Sequence, residues 1–101
     1  LGWTFKENCP DTRNTKVVDV YNELKSYDCA VEVFDPWVNK QDNEIDKGIR
    51  FVNNILSTRY DLIILAVSHD EFLHVQNEIT YRTSFLDVKG LLSPSDNVYR
   101  L

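Results

Sequence analysis

Two hydrophobic periods alternate along this chain, one typical of strands and one typical of helices. Residues 62–67, LIILAV, form an unbroken apolar run, which is typical of a strand buried on both faces of a parallel sheet. Shorter strand-like patterns lie at residues 1–5, 30–34, 50–52, 84–88 and 98–101. The chain therefore predicts several short strands around one central, fully buried strand.

A helix is predicted over residues 16–27, KVVDVYNELKSY. Its apolar residues recur at helical spacing and would form one face: Val17, Val20, Tyr21 and Leu24. Asn14 or Thr15 stands where a side chain can cap the first turn. This helix would follow the first strand and cover one face of the sheet.

A second helix is predicted directly after the central strand, with Ser68 or Asp70 as its cap. Phe72, Val75 and Ile79 continue this helix at helical spacing. Residues 53–58 predict a helical turn, and the polar residues 38–47 predict a loop or a short helix. Strands and helices thus alternate from one end of the chain to the other.

This alternation predicts an α/β fold: a Rossmann-like open, mostly parallel sheet with helices on both faces. The length of 101 residues suits one domain, residues 1–101. Ligands of such folds bind beyond the carboxyl ends of the strands. The candidate functional segments are therefore residues 6–14, 35–37, 68–71 and 89–91.

Composition narrows the classes of partner. The net charge of −5 and pI of about 4.8 argue against nucleic-acid or anionic-membrane partners, although a local basic pocket for one phosphorylated ligand remains compatible. We find no membrane-length apolar run and no signal peptide, and we expect Cys9 and Cys29 to stay unbridged in the cytoplasm. The chain starts at Leu1 and has no methionine, which predicts a piece of a longer polypeptide.

The first loop, residues 6–14, contains neither G-x-G-x-x-G nor G-x-x-x-x-G-K-[ST]. We therefore do not expect it to bind a dinucleotide or ATP through its backbone amides. It offers side chains instead: Lys6 and Arg13 as cations, and Phe5 as an apolar platform. The alternative is an ordinary solvated surface loop.

Three other positions have a chemical and a structural interpretation. His69 is either a base oriented by a neighbouring acid or a residue that starts a helix. Asp35 either holds a ribose or forms an Asp-Pro turn, and the turn is favoured because the glycine loop is missing. Lys89 either reaches a ligand over the sheet or is a solvated lysine in a turn. No metal site is expected, since the histidines lack a third ligand at a telling spacing.

The stretch TFKENCPDTRNTKVVDVYNEL resembles the carboxyl-terminal, UDP-binding domain of the UDP-glucose/GDP-mannose dehydrogenase family. Within that family the chain is most similar to bacterial UDP-N-acetylhexosamine 6-dehydrogenases of surface-polysaccharide synthesis. The blocks VEVFDPW, YDLIILAVSHDEF and FLDVKG agree in order, so the resemblance covers essentially the whole chain.

The resemblance implies a part of a cytoplasmic, homo-oligomeric enzyme that oxidises the sugar C6 alcohol to a carboxylate with two NAD. Phe5 and Lys6 would contact the UDP-sugar, and Lys89 would approach it, although the family often has arginine there. Arg13 would reach NAD held by an amino-terminal domain. Cys9 does not match the family's catalytic cysteine, so no catalytic residue is expected here and the chain alone would be inactive.

Two alternatives come from other classes of protein. The first is a phosphoacceptor receiver domain, which has a hydroxyl residue and a lysine after successive strands, and Ser68 and Lys89 match these two positions. A receiver domain also needs a cluster of acids after its first strand, whereas the loop at that position here starts with Lys6. An interaction domain without a small ligand is the second alternative. Whether the sugar is glucose or an N-acetylhexosamine stays open.

Overall fold

The structure, a computed structural model, describes residues 1–4, 6–12, 15–38 and 48–100. It is an α/β arrangement in which short helices and strands alternate, as the hydrophobic pattern predicts. In chain order the elements are α1 (Val17–Ser26), β1 (Leu62–Leu65), a 3-10 turn (Asp70–Phe72), α2 (Val75–Glu78), β2 (Ser84–Asp87) and β3 (Val98–Arg100).

The regular sheet has three parallel strands in the order β1-β2-β3. Leu62 lies opposite Ser84 in the first pair, and Phe85 lies opposite Val98 in the second. A parallel neighbour requires a crossover, and the turn and helix between β1 and β2 provide one. The carboxyl ends of all three strands consequently lie at one edge.

The sheet continues beyond β1 through segments too short to count as regular strands. The Leu1 nitrogen donates to the Ile64 carbonyl at 2.6 Å, and the Ala66 nitrogen donates to the Leu1 carbonyl at 2.9 Å, which is the pattern of a parallel neighbour. Gly2 in turn donates to the Phe34 carbonyl at 2.9 Å. Residues 1–4 therefore lie between β1 and the segment around residue 34.

A parallel bridge between Val33 and Phe51 adds one more segment at the far side. From edge to edge the order is residue 51, residue 33, residues 1–2, β1, β2 and β3. The chain order of these six segments is 3-2-1-4-5-6, the doubly wound Rossmann order. Its switch point, where the winding direction reverses, lies between residues 1–4 and β1.

Most predicted elements are confirmed, with shorter bounds. The helix over residues 16–27 is α1, and the central strand is β1, which ends at Leu65. The predicted strands at residues 1–5, 30–34 and 50–52 form isolated sheet hydrogen bonds within their described residues but no regular strand.

Two helix predictions are wrong. Residues 53–58 form bends rather than a helical turn, and the single helix expected after β1 is divided into the 3-10 turn and α2. Phe72 and Val75 are both in the core, at 1% and 3% exposure, as their helical spacing predicts. The predicted loop or short helix at residues 38–47 lies, beyond Val38, outside the described residues.

The cap predictions have a mixed outcome. The Thr15 hydroxyl accepts a hydrogen bond from the Val17 nitrogen at 3.2 Å and so partly satisfies the first turn of α1, whereas Asn14 lies outside the described residues. Neither Ser68 nor Asp70 caps the second segment, since the 3-10 turn begins after His69 without a side-chain cap.

Two apolar clusters cover the sheet. One contains Ile63, Leu65, Phe72, Val75, Phe85 and Leu92, and the other contains Trp3, Tyr21, Val33 and Ile49. Trp3 makes edge-to-face contacts with Tyr21 and Phe51, so it packs inside this domain. Leu62 in β1, Tyr99 in β3 and Val88 just after β2 stay outside the clusters, at 46%, 57% and 41% exposure.

Among the described residues, no helix has the length and apolar character needed to cross a bilayer.

Candidate functional site

The candidate site is the carboxyl edge of the sheet at the switch point. Residues 1–4 approach β1 very closely there. An added Cβ on Gly2 would lie 2.5 Å from the Cβ of Val67, and Gly2 has φ +92°, a conformation that favours glycine. The close approach brings Thr4 and the turn at residues 6–8, together called the Lys6 turn hereafter, against the loop that follows β1.

The buried Asp35 carboxylate anchors this turn. Its Oδ2 accepts hydrogen bonds from the Trp3 nitrogen at 2.6 Å and the Thr4 nitrogen at 3.0 Å. Its Oδ1 accepts one from the Trp37 nitrogen at 2.8 Å. The last contact is the Asx turn expected of Asp-Pro, so the turn-forming interpretation of Asp35 is confirmed, and no oxygen faces solvent to hold a ribose.

His69 completes the cluster. Its Nε2 lies 2.9 Å from Asp35 Oδ2 and 3.0 Å from Thr4 Oγ1, and its Nδ1 accepts a hydrogen bond from the Asn8 nitrogen at 2.7 Å. Because a backbone N–H can only donate, Nδ1 carries no proton, and the proton of the neutral ring is on Nε2. The Nε2–H therefore points at Asp35 and Thr4.

The His69 ring is fully buried and is stacked on Trp37, with ring centroids 5.8 Å apart and an interplanar angle of 26°. Both ring nitrogens have protein partners. The proposed base role is therefore not supported, whereas the helix-start interpretation is confirmed, because the 3-10 turn begins directly after His69. His69 is a buried connector between the first loop and the loop after β1.

A second polar cluster lies away from this edge, around Tyr60. Burial and a 2.6 Å hydrogen bond to Glu32 raise the pKa of Tyr60 to about 12. Glu32 also forms an ion pair with Arg50 at 2.7 Å, so the charged and polar groups of this cluster are paired with one another.

The loop after β2 is organised by a second buried acid, Asp87. Its Oδ1 accepts hydrogen bonds from Gly90 at 2.8 Å and Leu91 at 3.1 Å, and its Oδ2 accepts one from Leu92 at 2.7 Å. Gly90 has φ +72°, which closes the turn. Lys89 is exposed at this turn, two residues beyond the end of β2.

The structure brings two of the four predicted site residues to one sheet edge. Lys6 follows residues 1–4 and Lys89 follows β2, both are exposed, and β1 with its loop lies between them. Two inter-strand spacings amount to about 10 Å between the segments that carry them. Phe5 and Arg13 lie outside the described residues.

The link between the Lys6 turn and the loop after β1 was not predicted from the sequence. Besides the Asn8 contact to His69, the Asp70 nitrogen donates to Asn8 Oδ1 at 3.0 Å. Trp37 Nε1 likewise donates to Glu71 Oε1 at 3.0 Å. These partners are separated by 34 to 62 residues, so no local pattern reveals them. The only local hint of a turn was the asparagine itself, because asparagine adopts positive φ more readily than most residues. Asn8 does so here, with φ +54°.

The cavity of about 920 Å³ found in the structure does not coincide with this edge. Its walls are α1, the residue 28–34 segment and residues 58–66, and they are mostly apolar. Leu1, Gly2 and Ala66 also line the cavity, but among the described residues no wall residue comes from the Lys6 turn, from residues 67–74 or from the loop after β2. Among the described residues, no group of three or more His, Cys, Asp or Glu is arranged to hold a metal ion.

Comparison with known proteins identifies the class. Residues 1–94 match the description "UDP-glucose/GDP-mannose dehydrogenase family, UDP binding domain", and the chain belongs to this family. The chain is 49% identical over 78 residues to the UDP-N-acetyl-D-glucosamine 6-dehydrogenase of Salmonella typhi and 53% identical over 78 residues to that of Pseudomonas aeruginosa. Each alignment covers 77% of this chain and 18% of the relative.

Protein CapL of Staphylococcus aureus is 31% identical over 100 residues, which is 95% of this chain and 24% of CapL. The chain therefore spans about a fifth of the length of the curated relatives it matches. No solved structure gives a significant match.

Proposed function

We propose that this chain is the UDP-sugar-binding, carboxyl-terminal domain of an NAD-dependent UDP-sugar 6-dehydrogenase. The observation that carries the proposal is the match of residues 1–94 to the UDP binding domain of the family. The fold agrees with it, because the two exposed lysines lie at the carboxyl edge beside the switch point, where doubly wound folds bind nucleotides.

In this proposal, Lys6 and Lys89 supply positive charge to the diphosphate of UDP from two sides of β1. A lysine acts as a compact point charge on a flexible stem and can follow a diphosphate without fixed fork geometry. Since the chain carries a net charge of −5, these local cations must offset a repulsive overall field. Phe5 would support the UDP-sugar as an apolar platform.

NAD is assigned mainly to another domain of the same enzyme, because the first loop here has no glycine fingerprint. When bound, NAD accepts the hydride that leaves the sugar C6 carbon. Arg13 is proposed to reach it across the cleft between domains, and closure of that cleft would exclude water. The relatives are far longer than this chain, which supports further domains of the same enzyme as partners.

We infer that the sugar is an N-acetylhexosamine rather than glucose. The support is that the two relatives near 50% identity are both named UDP-N-acetyl-D-glucosamine 6-dehydrogenase. The names of the same relatives also favour the proposal that this chain is part of a dehydrogenase over the alternative of a receiver-like signalling domain. Biosynthesis of a surface polysaccharide in the cytoplasm, by a homo-oligomeric enzyme, completes the proposal.

Calorimetric titration of the protein with UDP tests the proposal directly. We expect saturable binding that weakens by about tenfold in Lys6→Ala and in Lys89→Ala, the loss typical of one charge-assisted contact. Lys25→Ala is the matched control, because Lys25 is exposed in the last turn of α1 and should not affect binding. An interaction domain without a ligand would show no heat and no UDP-dependent rise in melting temperature.

In the full enzyme, Lys6→Ala should raise the KM for the UDP-sugar, whereas Arg13→Ala should weaken NAD use more than UDP-sugar binding. Equal losses of both substrates in Arg13→Ala would remove the role given to Arg13. An unchanged KM in Lys6→Ala would remove Lys6 from the set of ligand contacts.

A further inference from the structure

We propose that His69 is a positioning residue that holds the Lys6 turn in the geometry required for nucleotide binding. The binding part of this inference rests on the proposed function, in which Lys6 contacts UDP. The ring itself is fully buried and cannot touch the ligand. Its effect would be exerted entirely through the backbone that carries Lys6.

The two ring nitrogens of His69 fasten both ends of the turn. At the beginning, Nε2 contacts the Thr4 hydroxyl at 3.0 Å, and that hydroxyl donates to the Lys6 carbonyl at 3.1 Å. At the end, Nδ1 accepts the hydrogen bond of the Asn8 nitrogen at 2.7 Å. Lys6 therefore lies between two points that are fixed to one rigid ring.

The residue after His69 reinforces the second contact. Asn8 Oδ1 accepts a hydrogen bond from the Asp70 nitrogen at 3.0 Å, so the backbone and the side chain of Asn8 are both bound to the loop after β1. Asn8 holds φ +54°, a conformation that a non-glycine residue adopts at some energetic cost. The two hydrogen bonds offset this cost and keep the turn closed.

The ring cannot easily move to follow the turn. Asp35 holds Nε2 at 2.9 Å, Trp37 stacks on one side with centroids 5.8 Å apart, and Phe72 packs against it at 5.6 Å. A loop that is already fixed before binding loses less conformational entropy when the ligand arrives. His69 would thus increase UDP affinity by preorganising the Lys6 turn.

Two substitutions separate this role from simple structural support. In His69→Gln the side-chain amide reaches the place of Nε2 and can still donate to Asp35, but nothing replaces Nδ1. In His69→Asn the amide oxygen reaches the place of Nδ1 and can still accept from the Asn8 nitrogen, but the donor to Asp35 is lost. The exposed His74 provides the control His74→Gln.

We expect His69→Gln to weaken UDP binding by about tenfold and to speed amide exchange at Asn8. His69→Asn should bind UDP within about threefold of wild type while its melting temperature falls, because Asp35 loses a buried donor. His74→Gln should behave as wild type. The inference would be overturned if UDP affinity fell in proportion to the melting temperature in both His69 variants. It would also be overturned if His69→Gln bound UDP with unchanged affinity.

Failure of the proposed function gives a different result. If the wild-type protein does not bind UDP, the binding role of His69 is overturned together with that function. The exchange rate of the Asn8 amide then decides the positioning of the turn separately. Faster exchange in His69→Gln than in His69→Asn supports it, and equal rates contradict it.

Discussion

Asp35 and Asp87 are both buried carboxylates that organise a loop at the carboxyl edge, yet they do so over different distances along the chain. Three of the donors to Asp35 come from residues 31, 32 and 34 positions away, and one comes from two positions away. The hydrogen-bond donors to Asp87 lie three to five positions later, and the Arg100 guanidinium adds a looser ion pair at 3.8 Å. One acid joins separate segments, and the other folds a single turn.

This difference separates the two lysines of the proposed site. Lys6 is held by contacts that exist only once residues 1–4, residue 35 and the loop after β1 have come together. Lys89 is held in a turn that the sequence DVKGLL encodes locally. Long-range contacts couple the Lys6 turn to global stability, whereas the Lys89 turn depends mainly on its own residues.

Asp35→Ala should give the largest effect in the molecule. It would leave the buried nitrogens of Trp3 and Thr4 without an acceptor and His69 Nε2 with only the Thr4 hydroxyl, which destabilises by roughly 3–5 kcal/mol. Chemical denaturation would measure this as a large fall in the free energy of unfolding. Asp70→Ala, at an exposed neighbouring acid, is the control and should stay near wild type.

Gly2→Ala should have the next largest effect, about 3 kcal/mol, because strain at positive φ adds to an overlap with Val67. The new Cβ would push residues 1–4 away from β1 and disturb the Lys6 turn with them. We expect a lower melting temperature and weaker UDP binding together. A variant with wild-type stability would contradict the close approach at this position.

Asp87→Ala should lower the free energy of unfolding by about 1–3 kcal/mol, which is less than for the Asp35 variant. The reason is that the backbone nitrogens of Gly90 and Leu91 can form hydrogen bonds with water instead. Leu92 keeps the main penalty, since it is buried. Amide exchange should accelerate at residues 90–92 and stay unchanged in the Lys6 turn. Equal acceleration in both loops would remove the distinction between them.

Gly90→Ala should have the smallest effect, about 1 kcal/mol, because its Cβ would meet no atom within 4 Å and only the backbone at φ +72° is strained. The pair Gly2→Ala and Gly90→Ala therefore compares the same substitution in the two regions. Melting temperatures measured side by side check the order. A Gly90 variant less stable than the Gly2 variant would reverse it.

The same contrast explains how much of the fold could be read from the sequence. The apolar run of β1, the helical spacing of α1 and the short pattern of β2 are local, and each predicts its element. The segments around Leu1, Val33 and Phe51 join the sheet through single bridges whose partners lie far away in sequence. Their strand content was therefore overestimated.

The candidate site divides in the same way. Lys6 and Lys89 each follow a predicted strand, and this was enough to predict that both lie at one edge of the sheet. The burial of His69 was not predictable, because it depends on Asp35, Trp37 and Asn8 meeting around the ring. The two acids that follow His69 in the sequence suggested a role as a base. In the structure, both nitrogens of the His69 ring are instead bound to protein groups, including those of the first loop.

The most direct test of the account is a UDP titration of the ¹⁵N-labelled protein followed by amide chemical shifts. We predict that the shifts concentrate at residues 6–8 and 88–90, on the carboxyl edge on both sides of β1. Amides at the opposite edge, such as Asp61 and Thr83, should stay unchanged. Shifts confined to that opposite edge, or no shifts at saturating UDP, would contradict the assignment of this edge as the nucleotide site.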